Sequence, residues 1–196
     1  MNKLVEKISG NMDKHILKYI GILVLIHITS LAMSCTVNSS TKKNILYDFE
    51  SDHELDEVHW KCHTLMSLSD QHVTHGKGSL KLEMYPSNYP GFNPFTELHD
   101  WGPFNSLCFD IYNPGEKEER LIIRIDDRKN NPEYGDRYNK GFSIKKGMNH
   151  LEIKMDSLVT SGTKRKLDLS KIDKFLFFIY KPTEKVILYV DYIRLE

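Results

Sequence analysis

The sequence predicts an all-β domain built as a sandwich of two antiparallel sheets. From residue 44 onward, short apolar or alternating runs are separated by turn residues at the spacing typical of sandwiches. The run 106–112 (SLCFDIY) alternates, with its leucine, phenylalanine and isoleucine on one face, and the run 120–126 (RLIIRID) alternates in the same way. Half-buried strands of this kind are typical of antiparallel sheets that have one solvated face. No long segment has the period of a helix.

The strands are predicted in order along the chain from these runs. Turn sequences such as HGKG (75–78) and NPG (113–115) bound them. Because the run 175–180 (FLFFIY) is apolar throughout, it predicts a central strand packed on both faces. The segment 85–103 is predicted to be a structured loop, and 169–173 one helical turn. The predicted strands are 45–49, 60–68, 79–84, 106–112, 120–126, 141–144, 150–155, 175–180 and 186–195.

An apolar stretch, 19–33, precedes the predicted domain. At about 15 residues it is shorter than the roughly 20 that a spanning helix needs, and it fits the core of a signal peptide. Small residues lead from it to Cys35 in a sequence (LAMSC) similar to a lipobox. We expect a signal peptide over 1–35, lipidation of Cys35, a flexible linker over 36–43 and a folded domain over 44–196. An uncleaved anchor helix is the alternative. Either way, the domain is expected outside the cytoplasm, on a membrane of a bacterial cell envelope.

Charge and cysteine content narrow the range of partners. Lys+Arg and Asp+Glu both number 27, so the formal net charge is zero and nothing attracts nucleic acid in general. We expect no nucleic-acid partner. Cys62 and Cys108 could pair outside the cytoplasm or remain buried thiols. Neither is part of a pattern with zinc-site spacing. Any partner must therefore be recognised by a local surface.

The first candidate site is a polar loop between two predicted strands, from RIDDR (124–128) to PEYGDRYN (132–139). Aromatic rings offer apolar faces to sugar C–H groups, while Asp, Asn and Arg supply directional donors and acceptors for hydroxyls. We predict that a glycan is bound by Asp126, Arg128, Tyr134, Arg137, Tyr138 and Asn139. The alternative is a salt-bridged loop, in which Asp126, Asp127 and Asp136 neutralise Arg124, Arg128 and Arg137.

Two further groups of residues could take part in binding. Glu50 follows the first predicted strand and Asp191 lies in the last, so the two carboxylates could meet if these strands are neighbours. Ca²⁺ takes such oxygen ligands, which makes structural calcium the cofactor to consider, with turn capping as the alternative. Several aromatic residues of the 85–103 loop could stack on a ligand or fill the core, namely Tyr85, Tyr89, Phe92, Phe95 and Trp101.

Catalysis is not expected. The sequence contains neither the HExxH pattern of zinc proteases nor the G-x-S-x-G pattern of serine hydrolases. A pair of carboxylates for glycoside hydrolysis could be composed from Asp126 and Glu133, but closeness in sequence is poor evidence for it. We therefore predict that the protein is not an enzyme.

Several segments together resemble one known group of domains. They include YDFE (47–50), HGKGSLKLEM (75–84), NSLCFDIYNPG (105–115) and LYVDYIRLE (188–196), with RIDDR and PEYGDRYN as the most specific part. In this order they are similar to the galactose-binding-like, jelly-roll domains grouped with bacterial carbohydrate-binding modules. They are also similar to the fold of the intermediate-associated assembly factor of mitochondrial complex I. The resemblance extends over 45–196.

This resemblance implies a jelly-roll sandwich with a ligand groove on the concave face of one sheet. It also implies, as in many relatives, a structural calcium near the chain ends, at the positions of Glu50 and Asp191. The function that it implies is non-catalytic binding of a polysaccharide or glycan by a lipid-anchored envelope protein. A structural or assembly protein that binds another envelope protein is the alternative.

Overall fold

The computed structural model describes residues 43–196. The predicted signal peptide with Cys35, and residues 36–42 of the predicted linker, lie outside the described residues. Short 3₁₀ turns occur at Tyr134–Asp136, Met155–Ser157 and Leu169–Lys171, and the last of these confirms the helical turn predicted there. The elements are β1 (Asn44–Tyr47), α1 (His53–Asp56), β2 (Val58–Cys62), β3 (Thr64–Ser69), β4 (Ser79–Met84), β5 (Gly91–Pro94), β6 (Ser106–Asn113), β7 (Glu119–Asp126), β8 (Tyr138–Ile144), β9 (Gly147–Lys154), β10 (Lys174–Ile179) and β11 (Val186–Leu195).

The strands form two antiparallel sheets. The first sheet has the order β3-β4-β11-β6-β9, with β1 paired to β11 beside this path. The second sheet has the order β2-β5-β10-β7-β8. Every strand pairing is antiparallel. The predicted all-β sandwich is thereby confirmed. Among the described residues, no helix combines the length and the apolar character that crossing a membrane requires.

Aromatic side chains fill the space between the two sheets. Phe177 lies at their centre, stacked on Phe92 with ring centroids 5.1 Å apart and edge-on to Phe109 at 5.0 Å. Trp101 packs against Phe175 at 5.6 Å, and its indole N–H donates to a backbone carbonyl. These five side chains are almost fully buried, so they contribute large apolar areas to the stability of the sandwich.

The run 60–68 was predicted to be one strand, and this prediction is wrong. It consists of β2, which pairs with β5 in the second sheet, and β3, which pairs with β4 in the first. His63 is the single residue between them, and its φ of 41° lies in the left-handed region. This turn carries the chain from one sheet to the other. The hydrophobic pattern does not show it, because residues on both sides of the turn remain in strands.

Two other strands differ from the prediction in ways that bear on the site. The 85–103 loop contains β5, a four-residue strand that pairs with β10. As predicted, β10 lies at the centre of its sheet. Its outer side is nevertheless not covered by another layer, since Leu176 is only partly buried and the adjoining Tyr180 is 52% exposed. Phe178, on the same side, is 8% exposed, so among residues 43–196 the outer side of β10 is open to a ligand mainly at Leu176 and Tyr180.

Both cysteines of the described residues are free thiols. Cys62 is partly buried at the end of β2, and Cys108 is buried in β6, so the two belong to different sheets. Burial raises the pKa of Cys108 to about 11, and the carboxylate of Glu196 adds to the increase. A thiol with such a pKa is protonated at neutral pH and is a poor nucleophile.

Candidate ligand-binding groove

A groove of about 1270 Å³ lies over the outer face of the second sheet. Its floor is formed by apolar side chains on the middle strands. In β7, Leu121 and Ile123 point into the core, so Ile122 between them points outward. Leu176 and Phe178 do the same on β10, and all three line the groove. The outer face of this sheet thus presents an apolar strip where a solvated face usually carries polar side chains.

Two glycines flank this strip. Phe178 pairs with Gly91 on one side and Ile122 on the other, and Ile122 pairs with Gly141. A Cβ at Gly91 would lie 2.1 Å from a backbone carbonyl oxygen of β10, which leaves no room for a side chain. A Cβ at Gly141 would lie 2.3 Å from Nε of Arg120, so the guanidinium group occupies that space. The strip is therefore bordered by bare backbone at Gly91 and by the guanidinium group of Arg120 at Gly141.

Tyrosines stand at one end of the groove. Tyr89 and Tyr180 are about half exposed, and their ring centroids are 5.6 Å apart. Tyr89 is also edge-on to Phe178 at 5.8 Å, which connects the tyrosines to the apolar floor. Nζ of Lys181 lies 5.3 Å from the centroid of Tyr180. This end offers adjoining ring faces beside a cation.

The other end of the groove is polar. Arg124 of β7 pairs with Asn139 of β8, and both line the groove with Tyr134 and Arg137. Arg137 donates from Nη2 to the carbonyl of Pro132 at 2.7 Å, and its guanidinium carbon lies 5.9 Å from the ring centroid of Tyr134. Oδ1 of Asn139 is buried and has no hydrogen-bond partner in the described part of the chain. The guanidinium of Arg137 can donate to a polar ligand there, and the hydroxyl of Tyr134, a 63% exposed residue, can donate or accept.

An ionic network holds the loop that carries this polar end. Arg165 forms two hydrogen bonds with Asp127, at 2.6 and 2.9 Å, and contacts Asp136 at 2.9 Å. Arg128 pairs with the second oxygen of Asp136. Burial alone would raise the pKa of Asp127, but the bonds from Arg165 and from the N–H of Asp168 keep it below its usual value. The network connects residues 127–137 to the segment 159–166, which carries Arg165 and is closed by an antiparallel bridge between Val159 and Lys166.

Only part of the predicted ligand set lines the groove. Tyr134, Arg137 and Asn139 do so, as described above. Asp126 is completely buried and binds the guanidinium of Arg124, with Nε and Oδ1 2.9 Å apart. Arg128 points away from the groove lining into its ion pair. Tyr138 is 3% exposed and belongs to the core, where burial raises its pKa to about 12. We therefore leave Asp126, Arg128 and Tyr138 out of the site proposed below.

The alternative prediction of a salt-bridged loop describes some of these residues. Arg124 pairs with Asp126, and Arg128 with Asp136, as that alternative expected. Asp127 instead binds Arg165. Among residues 43–196, Arg137 has no carboxylate partner, and its contacts are with backbone carbonyls. Most charged groups of the loop thus form ion pairs within the protein, and the guanidinium group of Arg137 is left for the groove.

The aromatic residues of the 85–103 loop divide between groove and core. Tyr89 lines the groove. Phe92 and Trp101 are fully buried. Tyr85 and Phe95 are each 37% exposed and lie outside the groove lining.

Sequence reasoning missed several groove residues on β7 and β10. Ile122, Leu176, Phe178 and Tyr180 were assigned to strands without a role, and Arg120 was treated as part of a strand. One signal could have found them. Both strands carry apolar residues on the face opposite the core, where an alternating sequence places polar ones.

Asp191, a predicted calcium ligand, binds backbone N–H groups. The strands β1 and β11 are neighbours, as that prediction required. Oδ2 of Asp191 accepts from the N–H groups of Thr74 at 2.6 Å and His75 at 2.9 Å, and Oδ1 accepts from that of Tyr192 at 2.7 Å. Burial raises the pKa of Asp191, and these hydrogen bonds oppose the increase. The carboxylate therefore anchors the loop before β4.

Glu50, the other predicted ligand, contacts the same loop. Its Oε1 accepts from the N–H groups of Lys77 at 2.6 Å and Gly78 at 2.8 Å, and these bonds keep the pKa of Glu50 below its usual value. The described residues contain no group of three or more His, Cys, Asp or Glu side chains suited to a metal. With N–H donors directed at them, the two carboxylates do not fit the oxygen cluster that Ca²⁺ takes. The structure thus gives no support to a structural calcium at these two residues.

Comparison with known proteins was made at the level of sequence and of structure. The sequence matches no protein-family model and no curated protein. Solved structures do match. An exo-β-agarase shares 21% identity over 78% of this chain, with a TM-score of 0.65, but the match spans about a quarter (25%) of the agarase.

Carbohydrate-binding modules match over almost their whole length. A family 11 module from Clostridium thermocellum, in complex with a β-1,3-1,4-mixed-linked tetrasaccharide, shares 18% identity over 80% of this chain and 96% of the module, with a TM-score of 0.60. A family 30 module of a cellulosomal cellulase from that organism shares 15% identity over 79% of this chain and 97% of the module, with a TM-score of 0.53. The shared property is the fold. It is the jelly-roll sandwich of these modules.

Proposed function

We propose that this protein binds a polysaccharide in the groove over the second sheet. The observation that carries the proposal is the apolar strip of Ile122, Leu176 and Phe178. Ile122 and Leu176 are partly exposed, and Phe178, which is buried, contacts the half-exposed ring of Tyr89 next to Tyr180. Sugar rings have apolar C–H faces that can pack on apolar side chains. They also pack on the faces of aromatic rings, which are electron-rich. Their hydroxyls need donors and acceptors, which the polar end supplies.

The size of the groove favours a polymer over a single sugar. Its volume of about 1270 Å³ exceeds the roughly 300–1000 Å³ of pockets that enclose small molecules. The fold supports the same proposal, since modules with this fold include one in complex with a mixed-linked tetrasaccharide. The apolar floor, the polar end and the fold therefore all favour a polysaccharide as the ligand.

We propose that binding is not coupled to hydrolysis. Glycosidases need two carboxyl groups on either side of the scissile bond. Among residues 43–196, the acidic residues in the groove lining are Glu118 and Glu119, which are adjacent in the chain at the start of β7. Of the pair considered from the sequence, Asp126 is buried in its ion pair and Glu133 lies outside the lining. Incubation with a bound polysaccharide should release no reducing sugar.

We also propose that Cys35 carries the lipid that holds the domain at a bacterial envelope membrane. The support is the order of lysines, apolar stretch and small residues before Cys35, followed by a polar segment. Metabolic labelling with a fatty-acid analogue tests it. Label should enter the wild type and not a Cys35→Ala variant, and equal labelling of both would contradict the lipid assignment.

Affinity electrophoresis of the full-length chain in non-ionic detergent tests polysaccharide binding. Gels containing agarose, mixed-linked β-glucan or acidic polysaccharides are compared with gels that contain none. At least one polysaccharide should retard the protein, and Tyr180→Ala should weaken its binding about tenfold, or roughly 1.4 kcal/mol. Tyr85→Ala is the matched control, since Tyr85 is an exposed tyrosine outside the groove.

Two results would count against the proposal. If Tyr180→Ala and Tyr85→Ala bind as the wild type does, the groove is not the binding site. If a folded sample is retarded by no polysaccharide, the alternative of an envelope protein partner replaces the proposal, and co-purification from the envelope becomes the next experiment.

A further inference from the structure

We propose that the polysaccharide is anionic, with carboxylate or sulfate groups that bind the unpaired arginines of the groove. This inference rests on the proposed function and names its ligand class. The chain as a whole has no net charge. The groove differs from the chain. Its lining contains two acidic residues, Glu118 and Glu119, and six basic ones, which are Lys117, Arg120, Arg124, Arg137, Lys174 and Lys181.

Some of these cations are already neutralised within the protein. Arg124 binds the buried carboxylate of Asp126. Lys174 lies 3.6 Å from Asp173, and Lys117 lies within 4.0 Å of Glu119. A ligand anion would have to compete with these carboxylates, so these cations contribute little to the inference.

Three groove cations have no carboxylate within ion-pair distance among residues 43–196. Arg120 makes no ion pair, and its guanidinium lies over Gly141, beside the apolar strip. Lys181 contacts the ring of Tyr180. Arg137 contacts only the carbonyls of Pro132 and Glu133 and the ring of Tyr134. The positive charge of these side chains is therefore available to a ligand.

Arg137 is the most informative of the three because it is not fully solvated. Its residue is only partly exposed, and the guanidinium of Arg124 is nearby. Burial lowers the pKa of Arg137 and the charge of Arg124 lowers it further, while the carboxylate of Asp126 opposes both effects. Partial burial of a charge without a counterion is unfavourable. An anion bound in the groove would relieve this unfavourable interaction.

The spacing of the arginines favours an anionic polymer over a small anion. Arg120 pairs with Ser143, whereas Arg137 precedes Asn139 at the other end of β8. The guanidinium of Arg120 lies over Gly141, so it is separated from the backbone of Arg137 by about four residues, or roughly 13 Å, along the strand. No single carboxylate or sulfate can bind both. A chain with charges on several sugars can do so, with its apolar faces on Ile122 and Leu176 between them.

Guanidinium chemistry fits both kinds of sugar anion. The planar fork of N–H donors binds a carboxylate or a sulfate ester through two parallel hydrogen bonds. A uronic acid and a sulfated sugar thus present the same recognition chemistry. The experiment distinguishes between them.

Matched polysaccharides isolate the contribution of charge. Affinity electrophoresis and titration calorimetry of the full-length chain compare polygalacturonate with its methyl ester, and a sulfated galactan with its desulfated form. Each pair has the same backbone with and without charge. At least one charged member should bind ten or more times as tightly as its uncharged partner, and high salt should reduce the difference. The pair that shows the difference identifies the source of the anion.

Arginine variants locate the effect in the groove. Arg120→Gln and Arg137→Gln should each weaken binding of the charged polysaccharide about tenfold, while leaving any binding of its uncharged partner unchanged. Arg128→Gln is the matched control, because Arg128 is an exposed arginine outside the groove lining. Thermal unfolding of each variant confirms that it is folded.

The possible failures can be told apart. If the uncharged member of each pair binds as tightly as the charged one, or if the two variants bind charged polysaccharide as the wild type does, the anionic inference is wrong and polysaccharide binding stands. If a folded protein binds none of the polysaccharides, the proposed function is wrong and the inference falls with it.

Discussion

The outer faces of the two sheets differ in how completely their polar groups are paired. On the first sheet, Nδ1 of His150 lies 2.7 Å from the carboxylate of Asp110, and Lys81 lies 2.9 Å from Glu83 on the same strand. On the second sheet, by contrast, Arg120 lies beside the apolar strip and has no carboxylate partner within residues 43–196. Alternation creates both faces, but only the second leaves charged and apolar groups together in an open groove.

The aromatic rings show the same contrast. On the first sheet, the ring of His72 stacks on Tyr112 with centroids 3.5 Å apart and is edge-on to Tyr189 at 4.6 Å. These rings cover one another. On the second sheet, the rings of Tyr89 and Tyr180 are tilted by 45° with centroids 5.6 Å apart, and both residues remain about half exposed. An exposed apolar patch of this kind is typical of binding surfaces, which agrees with the proposed function.

The largest expected effect concerns the ionic network of Arg165, Asp127 and Asp136 beside the groove. Arg165→Met should lower the free energy of unfolding by about 3 kcal/mol, because it leaves the buried carboxylate of Asp127 without its cation. Chemical denaturation measures the change. Arg128→Met removes an exposed partner of Asp136 and should cost about 0.5 kcal/mol at most. Equal losses in the two variants would mean that the burial of Asp127 is not what makes its pair important.

The two glycines beside the apolar strip provide the next test. Gly91→Ala should lower the free energy of unfolding by about 2 kcal/mol, since its Cβ meets the backbone of β10 and the strand must shift. Gly141→Ala meets only the flexible side chain of Arg120. It should keep most of the stability and instead weaken binding of charged polysaccharide, because Arg120 is displaced. Denaturation and calorimetry on both variants separate the effects, and a larger stability loss at Gly141 would contradict the assignment.

On the first sheet, Asp191 and Glu50 should respond to pH with opposite signs. Burial raises the folded-state pKa of Asp191, so between the unfolded and folded values the folded state binds more protons, and stability falls as pH rises. Asp191→Asn should lower the free energy of unfolding by about 1 kcal/mol through lost hydrogen bonds. This deficit relative to the wild type should therefore shrink as pH rises above about 4. The folded-state pKa of Glu50 is lowered, so its carboxylate stabilises at higher pH and the deficit of Glu50→Gln should grow with pH.

Denaturation at a series of pH values measures both differences. A deficit of Asp191→Asn that grows with pH would mean that its N–H bonds outweigh burial. The same samples test calcium. Millimolar Ca²⁺ should leave the unfolding temperature of the wild type unchanged, because both carboxylates already accept hydrogen bonds from N–H groups. Calcium bound to the folded state would raise that temperature. A rise that disappears in both variants would instead establish the predicted calcium site at Glu50 and Asp191.

Much of the fold could be predicted from sequence, because alternation reports which residues face the core. That rule predicted most strands, while the central position of β10 was predicted from a run that is apolar throughout. It could not give the sheet change at His63, which depends on one left-handed residue, or β5, whose four residues are too few for a pattern. The site was harder. Tyr138 and Asn139 are adjacent, and both can form hydrogen bonds with a sugar. Only the register of β8 places the first in the core and the second in the groove lining.

The smallest expected effect tests the contrast between the two faces at one residue. Arg137→Met removes a partly buried charge that lies near Arg124 and has no carboxylate partner in the described part of the chain, at the cost of a hydrogen bond to the carbonyl of Pro132. At low ionic strength the free energy of unfolding should rise slightly, by about 0.5 kcal/mol, while charged polysaccharide binds less tightly. Asp110→Asn, which disrupts a paired group on the first sheet, should instead lose stability and leave binding unchanged. If Arg137→Met loses more than about 1 kcal/mol, Arg137 is a structural residue like those of the first sheet. The unpaired charge would then no longer be evidence for a ligand.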